Sequence, residues 1–134
     1  MTRPRVLVLG GETLFRSFFD PPRERRLGRG FAWTLVAGRR VSPRLRRLLS
    51  GADALVTTWD SPTFGEDLTS LAPRLRLVAH CGGEVKARFA RPLFERLTIA
   101  NAPGPMAPLV AELAVTFLLM AARRVDAYRE ALRR

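Results

Sequence analysis

Five short apolar runs, each ended by turn-forming residues and separated by stretches of helical periodicity, confine this chain to an α/β design. The runs are RVLVLGG (5–11), FAWTLVA (31–37), ADALVTTW (52–59), RLRLVAH (74–80) and TIANAP (98–103). Strands that alternate with helices predict one parallel sheet covered by helices.

The connecting segments carry their own punctuation. In FRSFF, Phe15, Phe18 and Phe19 fit one helical face, and Pro21-Pro22 ends that helix, so the stretch up to Gly30 reads as a polar loop. SPRLRRLLSG predicts a short helix with Ser42 as N-cap, Pro43 in the first turn and Gly51 as terminator. SPTFGEDLTSLAP (61–73) supplies a further helical turn that Asp60 and Ser61 would cap, and ARPLFERL (90–97) another helix.

From Ala107 to Arg134 the pattern is helical throughout, which predicts one rod of about 42 Å. Its first half, LVAELAVTFLLMAA, is apolar nearly all round. Its second half, RRVDAYREALRR, keeps Val125, Tyr128 and Leu132 on one stripe. The expected organisation is a sheet domain over residues 1–105 and a C-terminal helix over 106–134.

With 134 residues and 47% hydrophobic content, one ordinary core is expected and overall disorder is not. One cysteine, Cys81, and one histidine, His80, provide neither a disulfide framework nor a zinc ligand set, so no metal is expected. The apolar stretch Leu113 to Ala122 is shorter than the roughly 18 residues a membrane span needs, and Val6 to Leu9 is too short for a signal-peptide core. A cytoplasmic protein is the expectation. The net charge of +11 raises nucleic acid as a partner, but the arginines are dispersed among segment ends and helix faces. A GC-rich coding sequence gives the same arginine bias, and no recognition-helix or ribonucleoprotein pattern accompanies it, so no dedicated nucleic-acid site is expected.

The densest chemistry lies in HCGGEVK (80–86). His80 and Cys81 are adjacent at a strand end and point to opposite faces, which speaks against a Cys/His dyad. Gly82 and Gly83 serve either a tight strand-to-helix turn or a ligand, since uncovered backbone N–H groups at such an edge hold a carboxylate without a cation. Lys86, the chain's only lysine, is available to add charge. Neither CGGEV nor LGGET (10–13 for its glycines and following residues) fits a dinucleotide or phosphate-loop pattern. Trp59, after the third strand, either closes the same crevice or packs as a rim aromatic. The carboxyl edge of a parallel sheet is where ligands bind.

The ordered set ADALVTTWDSP, LAPRLRLVAHCGGEVK, FERLTIANAPG and PLVAELAVTFLLMAARRV resembles successive landmarks of the D-isomer-specific 2-hydroxyacid dehydrogenase family. The match covers most of residues 52–125. The resemblance implies a flavodoxin-like substrate domain with sheet order 2-1-3-4-5. It further implies that Cys81, Gly82 and Gly83 offer amides to the carboxylate of a 2-hydroxy or 2-oxo acid, and that Trp59 and Ser61 belong to the closing loop. Leu109 and Val110 would then touch the edge of NAD or NADP. Met106-Ala107 departs from the Asn-Ala common in the family, and HCGGEVK departs from the commoner A-G-V-G-V-D.

The family's dinucleotide-binding half and its catalytic Arg, Glu and His have no counterpart in these residues, so no catalytic residue is assigned. The expectation is a substrate-binding half of a dehydrogenase homologue, truncated or split, inactive alone and dimeric through the C-terminal helix. A stand-alone carboxylate-binding or regulatory module is the alternative, and a basic nucleic-acid-associated protein the third.

Overall fold

The computed structural model describes residues 2–133; Met1 and Arg134, the outer ends of the two expected units, lie outside the described residues. Contacts divide the chain into two compact units, one ending at Ala102 and one beginning at Pro103.

The first unit is built on five strands: β1 (Arg5–Leu9), β2 (Ala32–Val36), β3 (Ala54–Thr57), β4 (Leu77–His80) and β5 (Thr98–Asn101). They form one sheet in the order β2-β1-β3-β4-β5, and every pairing is parallel. This is the order the family resemblance implies. Val6 to Leu9 of β1 are all buried, as a central strand covered on both faces requires.

Alternation along the strands separates two cores. Leu7, Leu9, Leu55 and Val78 face one side, where they meet Leu45 and Leu49 of α3 (Pro43–Leu49), Leu68 of α4 (Leu68–Leu71) and Leu93 of α5 (Leu93–Arg96). Val6 and Val8 face the other side and meet Phe15 of α1 (Glu12–Phe18), with Phe19, Leu27 and Trp33 packed around them.

The residues expected to be a polar loop after Phe19 form α2 (Pro21–Gly30). Asp20 accepts a hydrogen bond from the Arg23 N–H, and the two prolines occupy the first turn. Proline has no N–H to satisfy there and its fixed φ suits the helix, so Asp-Pro-Pro both ends α1 and starts α2. Ser42 does cap α3 by accepting from Leu45 N.

The second unit contains α6 (Ala107–Ala122) and α7 (Val125–Ala131), not one rod. Arg124 sits between them at φ 50, the only non-glycine residue in the left-handed region among the described residues. Neither Gly nor Pro marks this break, and a left-handed residue with a side chain costs about 1–2 kcal/mol. Within this unit no helix side chain is buried.

Candidate functional site

The carboxyl ends of β1, β3 and β4 open into three loops that are tied to one another by side chains. Thr58 and Ser61, both buried, begin the loop after β3. Ser61 Oγ accepts from Thr58 N at 2.7 Å and donates to Leu9 O at 2.6 Å. Thr58 Oγ1 lies 2.6 Å from Asp60 Oδ1, and Asp60 Oδ2 accepts from Gly11 N at 2.8 Å. Asp60 and Ser61 are therefore not the cap of the following helix. They strap the β3 loop to the end of β1. Gly10 is a glycine for the same reason, because a Cβ there would lie 2.5 Å from Thr58 Oγ1. Burial works against charge on Asp60, but the bonds from Thr58 and Gly11 outweigh it and hold the carboxyl below its ordinary range.

The β3 and β4 loops are joined in turn. Phe64 N donates to Arg88 O and Ala90 N to Phe64 O, a parallel bridge on which Phe64 and Phe89 stack with centroids 5.9 Å apart. The Arg88 guanidinium donates to Trp59 O and Ser61 O. Between these loops lies a depression of about 360 Å³ lined by Arg39, Trp59, Ser61, Thr63, Glu84, Ala87 and Arg88. Two arginines against one glutamate give it a positive bias.

The residues singled out in the sequence are distributed unevenly. Trp59 stands 44% exposed on the rim, with Phe18 tilted against it at 5.5 Å. The hydroxyl of Ser61 is consumed by the strap. Cys81 N donates to Thr57 O and Gly82 N to His80 O, which leaves Gly83 as the one of the three expected amides without a partner among the described residues. The loop does hold a carboxylate, but it is the chain's own: Glu84 Oε1 accepts from Lys86 N and Ala87 N. The side chain of Lys86 lines a different depression, with Phe89, Arg91 and Phe94. Leu109 and Val110 lie in the first turn of α6, exposed, in the second unit.

Two residues escaped the sequence reading. Arg39 and Arg88 looked like two among many dispersed arginines, and only their places in the loops after β2 and β4 set them apart. His80 was legible as the single polar residue closing the buried run LVAH. It is 2% exposed, and its Nδ1 lies 2.9 Å from Thr57 Oγ1. Burial, and then the positive charge of Arg88, push its pKa below 6.5, so the ring is neutral in the fold. Burial pushes the Cys81 thiol up, away from a nucleophilic thiolate. Among the described residues no His, Cys, Asp and Glu cluster forms a metal site.

The histidine has a measurable consequence. Unfolding exposes a ring that binds a proton more readily than the folded one, so its contribution is complete above about pH 6.5 and declines as the pH falls below that value. The slope reaches at most about 1.4 kcal/mol per pH unit. Urea midpoints measured at about pH 7.5 and about pH 5.5 should differ more in the wild type than in His80→Gln. Equal pH dependence in the two proteins would contradict the assignment of a buried neutral ring.

No protein-family profile and no curated protein matches the sequence. Solved structures do match. A 2-hydroxyacid dehydrogenase from Ketogulonicigenium vulgare superposes with a TM-score of 0.68 at 19% identity, over 96% of this chain and 39% of that one. A phosphoglycerate oxidoreductase from Vibrio cholerae gives 0.59 at 25% identity, over 98% and 41%. The pyruvate reductase of Chlamydomonas reinhardtii gives 0.62 at 18% identity, over 95% and 37%. The fold is shared with 2-hydroxyacid dehydrogenases. The resemblance drawn from the motif order thus has a three-dimensional counterpart, and the chain spans about two fifths of the length of these structures.

Proposed function

We propose that the crevice at the carboxyl edge takes the carboxylate of a small 2-hydroxy or 2-oxo acid, and that the chain is the acid-holding portion of a 2-hydroxyacid dehydrogenase homologue. The observation that carries this reading is the meeting of Arg39, Arg88 and Trp59 at the carboxyl edge of the sheet, in a fold shared with such dehydrogenases. A guanidinium presents five N–H donors in a planar fork that matches a carboxylate. Arg88 uses two of its donor atoms on the carbonyls of Trp59 and Ser61, which fixes its plane and leaves other hydrogens for a ligand. The free amide of Gly83 adds a further donor. Gly82 and Cys81 shape the turn, Ser61 positions the loop, and Lys86 contributes only to the wider field.

NAD or NADP does not fit the residues of this unit. The glycine turn best placed for a pyrophosphate, Gly10-Gly11, has its Gly11 amide committed to Asp60, whose carboxylate would repel phosphate. Leu109 and Val110 offer only apolar edges. Any nicotinamide would be held by residues of another domain, so the work of this chain is to bind and orient the acid.

Calorimetric titration with glyoxylate tests this directly. We expect a Kd on the order of 1 mM and about a tenfold loss in Arg88→Met or Arg39→Ala. With NADH added, the chain alone should oxidise no cofactor above a matched blank. Binding that ignores both arginine substitutions would remove the basis of the proposal.

The second unit suggests self-association. Leu109, Leu113, Phe117, Leu118 and Leu119 of α6 are each more than half exposed. Covering two large apolar side chains is worth roughly 3–6 kcal/mol, and a two-fold contact uses one patch twice. Arg123, Arg124, Arg129 and Arg133 disfavour parallel alignment, so the expected dimer has antiparallel or crossed helices. Light scattering over a concentration series should show a dimer that Phe117→Asp converts to monomer. A strictly monomeric wild type would overturn this.

A further inference from the structure

The sheet ends at β2, which pairs with β1 and with no other strand. Ala32 N donates to Pro4 O and Gly10 N to Val36 O, so alternation along the parallel ladder turns Ala32, Thr34 and Val36 toward β1. The backbone N–H and C=O groups of Trp33 and Leu35 therefore point outward, and they have no partner among the described residues. Edge strands are ordinarily blunted by proline, by charge or by a bulge. The run AWTLV carries none of these and stays in register with β1 throughout.

The two faces beside this edge differ. On the α3 side Ala32 and Thr34 are exposed, and they form part of a groove of about 370 Å³ that Arg5 and Arg47 also line. Arg5 lies over the end of α3, where a Cβ on Gly51 would fall 2.9 Å from its Nη1. The Asp53 carboxylate is held by the Arg5 backbone N–H and by the Arg74 guanidinium, and the guanidinium groups of Arg5 and Arg47 form no ion pair among the described residues. On the other side Trp33 and Leu35 pack against Val6, Val8 and Phe15, which makes that face apolar. At the opposite edge, beside β5, Glu95 stands with Arg76 and Arg96, so the charge there is mixed.

We propose that β2 is a docking edge for an extended acidic segment of another protein, which adds to the sheet as a further strand with alternating acidic and apolar side chains. Main-chain bonds to Trp33 and Leu35 supply affinity, as in strand addition generally. Alternation places the carboxylates of the added strand on the α3 side, against Arg5 and Arg47, and its apolar side chains beside Trp33 and Leu35. A guanidinium fork suits a carboxylate and binds it with paired hydrogen bonds. Two copies of this chain meeting edge to edge would each bring a net charge of +11, which opposes that pairing. Arg5 and Ala32 open their strands, so the groove lies at the amino ends of β1 and β2 and does not depend on what the carboxyl-edge crevice binds.

The test titrates the isotope-labelled chain with a synthetic peptide of sequence TVEVEVT, blocked at both ends. We expect a Kd on the order of 0.1 mM. Hydrogen exchange should slow at the Trp33 and Leu35 amides, while Ala32 and Thr34, already bonded to β1, change little. Arg47→Glu, on the exposed side of α3, should weaken binding about tenfold, and the peptide TVKVKVT should not bind. The peptide TVEPEVT, which lacks one ladder N–H, checks the strand geometry without altering the protein and should also bind about tenfold more weakly. Failure of TVEVEVT to bind, equal binding of the lysine peptide, or saturation without protection of Trp33 and Leu35 overturns the proposal. Protection that rises with protein concentration alone overturns it in favour of a second copy. An oligothymidylate that shifts the Arg5 and Arg47 side-chain signals while the acidic peptide leaves them still overturns it in favour of a nucleic-acid surface.

Discussion

Phe15→Ala should destabilise the sheet unit by about 3–5 kcal/mol, a large share of the 5–15 kcal/mol typical of a domain. Phe15 is 1% exposed and fills the smaller of the two cores. Its ring stacks on Phe19 with centroids 4.9 Å apart and on Trp33 at 5.2 Å, over Val6 and Val8 of β1. Within the sheet unit, α1 and α2 are the helices that pack on this face, and α2 contributes Leu27 as its apolar side chain. Little else can move into the space, so the cavity and the lost stacking add to the transfer term. Urea denaturation should show the midpoint falling with an unchanged slope. A loss below about 1 kcal/mol would mean that the helices repack freely, and that α1 is not anchored as described.

Ser61→Ala should cost about 1–3 kcal/mol and weaken acid binding, although the hydroxyl faces no ligand. The substitution deletes the acceptor of the buried Thr58 N–H and the donor to Leu9 O together. Thr58 Oγ1 is then drawn between Asp60 and Leu9 O, which lie 2.6 and 3.0 Å away. The strap loosens where Trp59 and the carbonyls bound by Arg88 are positioned. A wild-type midpoint combined with lost binding would instead assign Ser61 a direct contact with the acid.

The strands and their helices were legible because β1 is buried on both faces, and β3 and β4 bury one face fully, which demands apolar runs of that length. Errors arose where one residue type serves two ends of the same motif. Pro21-Pro22 stops α1 and starts α2, and the sequence shows the stop more plainly than the start. Asp60 and Ser61 have the composition of a helix cap, yet their partners, Gly11 and Leu9, lie at the end of β1 and in the turn after it, about fifty positions earlier, where no local pattern reaches. The break at Arg124 carries no Gly or Pro, and nothing in its neighbours announces a left-handed residue.

The candidate site was legible in place but not in chemistry. The carboxyl-edge rule directs attention to Trp59 and to Gly82, whereas the fate of each amide depends on tertiary bonds. Thr57 O and His80 O claim the N–H groups of Cys81 and Gly82, and Glu84 folds back on the amides of Lys86 and Ala87. Arg39 and Arg88 then inherit the charge attributed to Lys86. Their role depends on which of many arginines the topology brings to one edge, and spacing alone does not reveal that.

A small 2-oxo acid is proposed to bind between the loops after β3 and β4. The most direct measurement is a backbone amide chemical-shift map of the chain titrated with glyoxylate. Saturable shifts centred on Trp59, Gly83, Glu84, Ala87 and Arg88 are expected, weakened when Arg88 is replaced by methionine. Shifts centred on Arg91 and Phe94, or no saturable shifts at the carboxyl edge, would contradict it.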